Sequence, residues 1–261
     1  MRRLPFLVLA CALALGAGTS GARAQGGSIV VFAAASLREA FTAAQPEFTR
    51  RTGIAATFSF GGSDTLAAQL RQGAPADVFA SADEVQIRTA ADAGLLDGAP
   101  RTFARNRLVV IYPRSNPGHV TQLADLARPG VKVILGAKTV PIGAYTRAAL
   151  ASLSAESGYP PGFDAAVEKN VVSDELDVKA VAAKIALGEG DAGIVYATDI
   201  TPPIAAKVAS FPLPREAAAN VRYPIAALKA APNPAGARAF VAFMLSSAGQ
   251  AYLRERGFLA P

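Results

Sequence analysis

The chain has 261 residues, enough for one large domain or two modest ones, with 51% hydrophobic, 7% aromatic and 18% charged residues. Its formal charge of +6 is mild and gathers into no basic tract, so neither nucleic acid nor an acidic membrane surface is indicated as a partner. A single cysteine, Cys11, and a single histidine, His119, leave no disulfide framework and no cysteine or histidine cluster for a metal.

Residues 1–24 read as a secretory signal peptide: Arg2 and Arg3, an apolar run from Leu4 to Ala17, and the small-x-small site Ala22-Arg23-Ala24. The run is shorter than the ~20 residues of a membrane span. Cys11 falls within it, so the exported chain is expected to carry no cysteine. A lipid-anchored form acylated at Cys11 is disfavoured, because the apolar run continues past that residue. Three positive charges, Arg2, Arg3 and Arg23, belong to this segment, which leaves about +3 on the remainder.

From Ser28 onward, strand and helix patterns alternate. Val30 to Ala34 is an apolar strand that ends at Ser36, and the Ser36-x-x-Glu39 spacing predicts a capping box at a helix start. Leu37, Ala40, Phe41, Ala44 and Phe48 follow at helical spacing, with Pro46 expected to kink or end that helix. Ile54 to Phe60 is a second strand, Gly61-Gly62 its turn, and Ser63 opens the next helix. Ala76 to Ala80 is a short strand and Ala82 to Ala93 a helix; Leu95 to Arg105 reads as a polar loop approaching a domain crossing. Leu108 to Tyr112, Lys132 to Leu135, Ala192 to Tyr196, Ala205 to Ser210 and Tyr223 to Leu228 are further strands. Pro141 suits a first helical turn, and Asp174 and Asp177 precede another helix start. Two short helices close the chain. Such alternation predicts an α/β fold of mainly parallel sheets flanked by helices.

The residue inventory excludes more than it includes. A Ser-His-Asp site would need His119, which sits in a Pro/Gly turn, and no Gly-x-Ser-x-Gly elbow is present. No phosphate-binding glycine motif occurs. What remains is a set of polar groups where strands meet helices: Ser36, Ser63, the N–H groups after Pro141 and around Val178, and Tyr196. Singly, each has an ordinary reading as a cap or a packing residue. Together they fall where parallel sheets bind ligands, outside the carboxyl ends of the strands.

Six segments in order, FAAASL (Phe32 to Leu37), GSDTL (Gly62 to Leu66), GAPADVFASAD (Gly73 to Asp83), VPIGAYT (Val140 to Thr146), DVKA (Asp177 to Ala180) and GIVYATD (Gly193 to Asp199), resemble the periplasmic molybdate-binding proteins of ABC importers. The resemblance runs from about Ile29 to Phe258. It implies a type II solute-binding fold of two lobes joined by two crossing segments, near Arg105 to Leu108 and Tyr223 to Ala227, with residues 25–104 and 227–261 in lobe one and 105–226 in lobe two. It further implies a non-enzymatic, monomeric, periplasmic protein that needs no cofactor, clamps molybdate or tungstate, and delivers it to a membrane permease. The binding residues carried over are Ser36 and Ser63 through hydroxyl and backbone donors, Ile142 and Val178 through backbone N–H groups, and Tyr196 through its hydroxyl. Asp64, beside Ser63, would repel a dianion unless it turned outward to cap its helix. The competing expectations are a type II receptor for sulfate, phosphate or ferric ion, the last requiring paired tyrosines, and an exported serine hydrolase dependent on His119.

Overall fold

A computed structural model describes residues 27–156, 158–214 and 221–261. The expected signal peptide and Cys11 lie outside the described residues. The first sheet contains β1 (Ser28–Ala34), β2 (Ala55–Gly61), β3 (Val78–Ala80), β4 (Arg101–Asn106) and β10 (Val221–Ala227), in the order β2-β1-β3-β10-β4. The second contains β5 (Leu108–Pro113), β6 (Val133–Gly136), β7 (Val171–Glu175), β8 (Ala192–Tyr196) and β9 (Val208–Pro212), in the order β7-β6-β8-β5-β9. The two lobes share one plan, three parallel strands followed by one antiparallel strand and an edge.

Both sheets are mixed, with four strands running one way and one strand, β10 or β5, running against them. In the first, β1 pairs parallel with β2 and β3, whereas β10 runs antiparallel to both β3 and β4. In the second, β6 pairs parallel with β7 and β8, and β5 is antiparallel to β8 and β9. The antiparallel strands adjoin the crossings: a chain that enters or leaves a lobe through a short connection must reverse direction, since parallel neighbours need a long crossover. Leu95 to Arg105, expected as loop, contains the edge strand β4, with Phe103 and Ala104 fully buried. The expected lobe boundaries, 104/105 and 226/227, consequently cut two paired strands. Arg105 and Asn106 belong to β4, and Val221 to Ala226 belong to β10, all in the first sheet. Arg107 alone separates β4 from β5.

Lobe one is covered by α1 (Arg38–Thr52), α2 (Ser63–Arg71), α3 (Glu84–Asp92), α8 (Pro234–Leu245) and α9 (Ser247–Glu255). Lobe two carries α4 (Pro141–Ser154), α5 (Phe163–Lys169), α6 (Val178–Leu187) and the one-turn α7 (Pro202–Ala205). Pro46 neither ends nor splits α1, which continues to Thr52 and closes on Gly53 at φ 71°. The helix survives because Phe41 and Phe48 on either side of the proline both anchor against Phe240, with ring centroids 5.4 and 5.1 Å away. Lobe one thus has an aromatic core. Lobe two is built mainly from aliphatic side chains such as Val133, Leu135, Val181, Ile185, Ile194 and Val195, all buried. Among the described residues, no helix is long and apolar enough to cross a membrane.

Candidate functional site

The ends of β1, β2 and β8 and the starts of α2, α4 and α6, which follow β2, β6 and β7, meet in the gap between the lobes. A cavity of about 20 Å³ lies at this convergence, lined by Ser36, Ser63, Ile142, Val178 and Tyr196, with Ala35, Gly62 and Asp177 among the rest of its wall. One water needs roughly 10–15 Å³ on the same measure, so this space suits a single small ion. All five residues singled out from the sequence meet on one cavity, although up to 160 positions separate Ser36 from Tyr196.

The serines are not helix caps. Ser36 sits in a single 3-10 turn, Ala35–Leu37, ahead of α1, and no side chain caps either helix start. Its Oγ lies 3.0 Å from the Tyr223 hydroxyl, and Glu39, expected as its capping-box partner, accepts from Lys179 Nζ at 2.7 Å. The Ser-x-x-Glu spacing was satisfied, but both side chains found tertiary partners in place of the local N–H groups. Gly62 is the residue before α2, which puts Ser63 at the first helical position; its Oγ accepts from the Ala82 backbone N–H at 3.0 Å. With that lone pair engaged, the Ser63 proton is available to a ligand. Both serines are buried, at 2% and 1% exposure.

Lobe two supplies backbone. Pro141 occupies the first position of α4, which leaves the Ile142 and Gly143 N–H groups in the turn that has no intrahelical acceptors. Asp177 does cap α6 as its sequence position suggested, accepting from Ala180 N–H at 3.0 Å; the Val178 N–H is the first of that helix. Asp174 is no cap and pairs with Arg147 at 2.8 Å. The starts of α2, α4 and α6 all border the cavity, so three helix dipoles present their positive ends to it. No lysine, arginine or histidine lines it.

Tyr196 is fully buried and its hydroxyl has no hydrogen-bond partner among the described residues. Burial pushes its pKa well above the usual phenol value, so it stays protonated and acts as a donor. No second tyrosine adjoins Tyr196 in the sequence. Folding brings Tyr223 against it edge to face, with centroids 5.8 Å apart. Tyr223 is also held protonated by burial, and its hydroxyl is engaged by Ser36 and Asn106.

Asp64 does not line the cavity and does not cap α2. Its Oδ2 accepts from Thr139 Oγ1 of the opposite lobe at 3.0 Å. Gln86 Nε2 donates to Thr139 O at 3.3 Å, and Lys179 Nζ bridges Glu39 on lobe one and Asp199 Oδ1, 3.1 Å away, on lobe two. Burial drives the Asp199 carboxyl up to about 6 against the pull of Lys179. A Cβ at Gly62 would sit 2.5 Å from Leu176 O across the cleft. The lobes are closed on each other.

His119 belongs to the turn after β5, at φ 49°, and does not line the cavity. Among the described residues no group of three or more His, Cys, Asp or Glu side chains could hold a metal ion. Tyr223 and Asn106 lie behind Ser36 and do not line the cavity; nothing in their sequence context marks them, because Tyr223 meets Ser36 across 187 positions and Asn106 meets Tyr223 across 117.

Comparison with known proteins places this geometry. The molybdate-binding protein ModA of Mycobacterium tuberculosis is 42% identical over 244 residues, covering 93% of this chain and 87% of that protein. Among solved structures, the periplasmic molybdate-binding protein of Azotobacter vinelandii matches with TM-score 0.74 at 24% identity, over 89% of this chain and 99% of that one. The sulfate-binding protein SubI of Mycobacterium tuberculosis shares the fold with TM-score 0.79 at 21% identity, over 89% of this chain and 86% of its own. Residues 29–259 match the family described as bacterial extracellular solute-binding protein, and with that span and the ModA relative the chain belongs to this family.

Proposed function

We propose that the protein is the extracytoplasmic molybdate-binding component of an ABC importer, with tungstate as a second ligand. The observation that carries this reading is the buried, unpartnered hydroxyl of Tyr196 on a cavity walled by three helix starts and two serines and free of basic side chains. Unpaired buried donors are costly, and an anion that accepts from all of them recovers that cost. The 42% identity to a molybdate-binding relative supports the choice of ion.

The lobes would close by a hinge at the two crossings, bringing the Ser36 and Ser63 donors of one lobe against the Ile142 and Val178 N–H groups and the Tyr196 hydroxyl of the other. Neutral dipoles then hold the dianion without a buried cation. The five binding groups are all donors and disfavour hydrogen phosphate, whose own O–H finds no acceptor among them; the Asp177 carboxylate in the wall is engaged as the cap of α6. The closed, loaded form would hand its ion to a membrane permease; the protein works as a monomer outside the cytoplasm, needs no cofactor and catalyses nothing.

Isothermal titration of residues 25–261 tests this. One-to-one binding of molybdate and tungstate, with far weaker sulfate and phosphate, is expected. Tighter sulfate or phosphate would transfer the site to that ion, and no heat with any oxyanion would overturn the reading. A Ser-dependent hydrolase would instead lose turnover on His119→Ala, a change expected to leave anion binding intact.

A further inference from the structure

Asn106 is the last residue of β4, next to the first crossing, and its amide is oriented without ambiguity. Its Oδ1 accepts from the Arg107 backbone N–H at 2.9 Å, so Nδ2 faces the interior. There Nδ2 donates one hydrogen to Thr198 Oγ1 of lobe two at 2.9 Å and the other to the Tyr223 hydroxyl at 3.3 Å. Tyr223, on β10, is fully buried, with its ring edge to face with Phe258 at 5.3 Å. Its oxygen accepts from Asn106, and among the described residues the other hydrogen-bond partner of its hydroxyl is Ser36 Oγ at 3.0 Å, a contact in which either oxygen could donate. Donation by the phenol is the arrangement that leaves no buried Tyr223 proton unpaired.

We propose that Asn106 and Tyr223 are positioning residues that aim the hydroxyl proton of Ser36 at the cavity. The polarity runs Asn106 N–H to Tyr223 O, Tyr223 O–H to Ser36 Oγ, and Ser36 O–H to the bound oxyanion. Alone, a serine hydroxyl both donates and accepts, and could turn its lone pair toward an anion that carries a proton. With Tyr223 occupying one of its two lone pairs and fixing its rotation, Ser36 presents its proton to the cavity and favours fully deprotonated oxyanions over protonated ones. Ser63 is held the same way by the Ala82 N–H, so each serine has one acceptor position taken by a protein donor. Because Asn106 also reaches Thr198 in lobe two, the relay is assembled in the closed form. This deepens the proposed function and rests on it.

Tyr223→Phe removes the phenol oxygen and keeps the ring. The proposal expects the ratio of molybdate to phosphate affinity to fall by about tenfold or more, the scale of one buried hydrogen bond, with phosphate binding growing as Ser36 gains a free lone pair. Asn106→Asp reverses the relay: the carboxylate takes the Tyr223 proton, Ser36 must donate to Tyr223, and molybdate affinity falls further. The double variant separates this from the added charge, since without the phenol Asn106→Asp can act only electrostatically. A non-zero coupling between the two changes supports the relay. Titration calorimetry at pH 7 and an unfolding midpoint for each variant read both. If wild type binds molybdate but Tyr223→Phe keeps the same molybdate-to-phosphate ratio, the relay is wrong while the proposed function stands. If wild type binds no oxyanion, both fall together.

Discussion

The two lobes share a strand order yet present different chemistry to the cleft. Lobe one offers side-chain hydroxyls, Ser36 and Ser63, each with its oxygen already engaged by a protein donor. Lobe two offers mainly backbone, the first N–H groups of α4 and α6, with apolar Ile142 and Val178 as the residues that carry them. A hydroxyl is lost with its side chain; an N–H is lost only if the helix start is. Lobe one should therefore be chemically fragile and lobe two chemically tolerant except at Tyr196, its one side-chain hydroxyl on the cavity.

The largest effect should come where the lobes touch. Gly62→Ala fits its own backbone, at φ −60° and ψ 135°, but the new methyl would collide with Leu176 O when the lobes close. Opposing closure by about 1–3 kcal/mol would weaken molybdate about 5- to 150-fold, while the unfolding midpoint of the unliganded protein stays put. Unchanged affinity would mean that closure tolerates a wider gap.

Next in size are the donors. Ser36→Ala and Tyr196→Phe should each weaken binding by about tenfold, one hydrogen bond to a charged acceptor being worth about 1.5–3 kcal/mol. Tyr196→Phe should also leave the unliganded protein as stable as before or more so, because the lost hydroxyl has no partner there. Ser63→Ala should weaken binding similarly but cost stability as well, since it strands the buried Ala82 N–H. Paired titrations and melts would distinguish these outcomes; a Tyr196→Phe protein that binds normally would remove the hydroxyl from the site.

The backbone donors of lobe two should show the reverse profile. Ile142→Val, at a residue 2% exposed, should lower stability by about 0.5–1.5 kcal/mol and leave affinity within about twofold. A large affinity loss with unchanged stability would break the contrast between the lobes.

The smallest effect concerns pH. The Asp199 carboxyl is raised from 3.8 to about 6 in the folded protein, so folding favours its protonated form. Its contribution to stability is full below about pH 4 and is lost as pH rises through about 6. The unfolding midpoint of Asp199→Asn should lack that part of the slope. A carboxyl resonance of Asp199 titrating near 4 would contradict the burial argument.

How much of this was legible beforehand varies with the range of the interaction. The Asp177 cap was readable because its partner, Ala180 N–H, lies three residues on. The β4 strand was not, because an edge strand with one buried stretch, Phe103 and Ala104, looks like a polar loop until β10 is beside it. Capping-box spacing misled at Ser36 for the same reason: Tyr223 and Lys179 outcompeted the local N–H groups for its side chain and for that of Glu39.

Strand-to-helix junctions, the five residues that gather at them, and the single histidine in a turn away from the serines were fixed by local pattern and composition. Periodicity and Pro or Asp at a helix start act within a few residues and need no partner. Which way each polar group faces was decided by tertiary structure alone. Asp64 turns to Thr139 across the cleft, Tyr223 comes to rest against Tyr196, and Asn106 and Tyr223 set the proton of Ser36. A hydrogen bond has a direction only once both partners are in place, and these partners meet only when two crossings of the chain bring the lobes together.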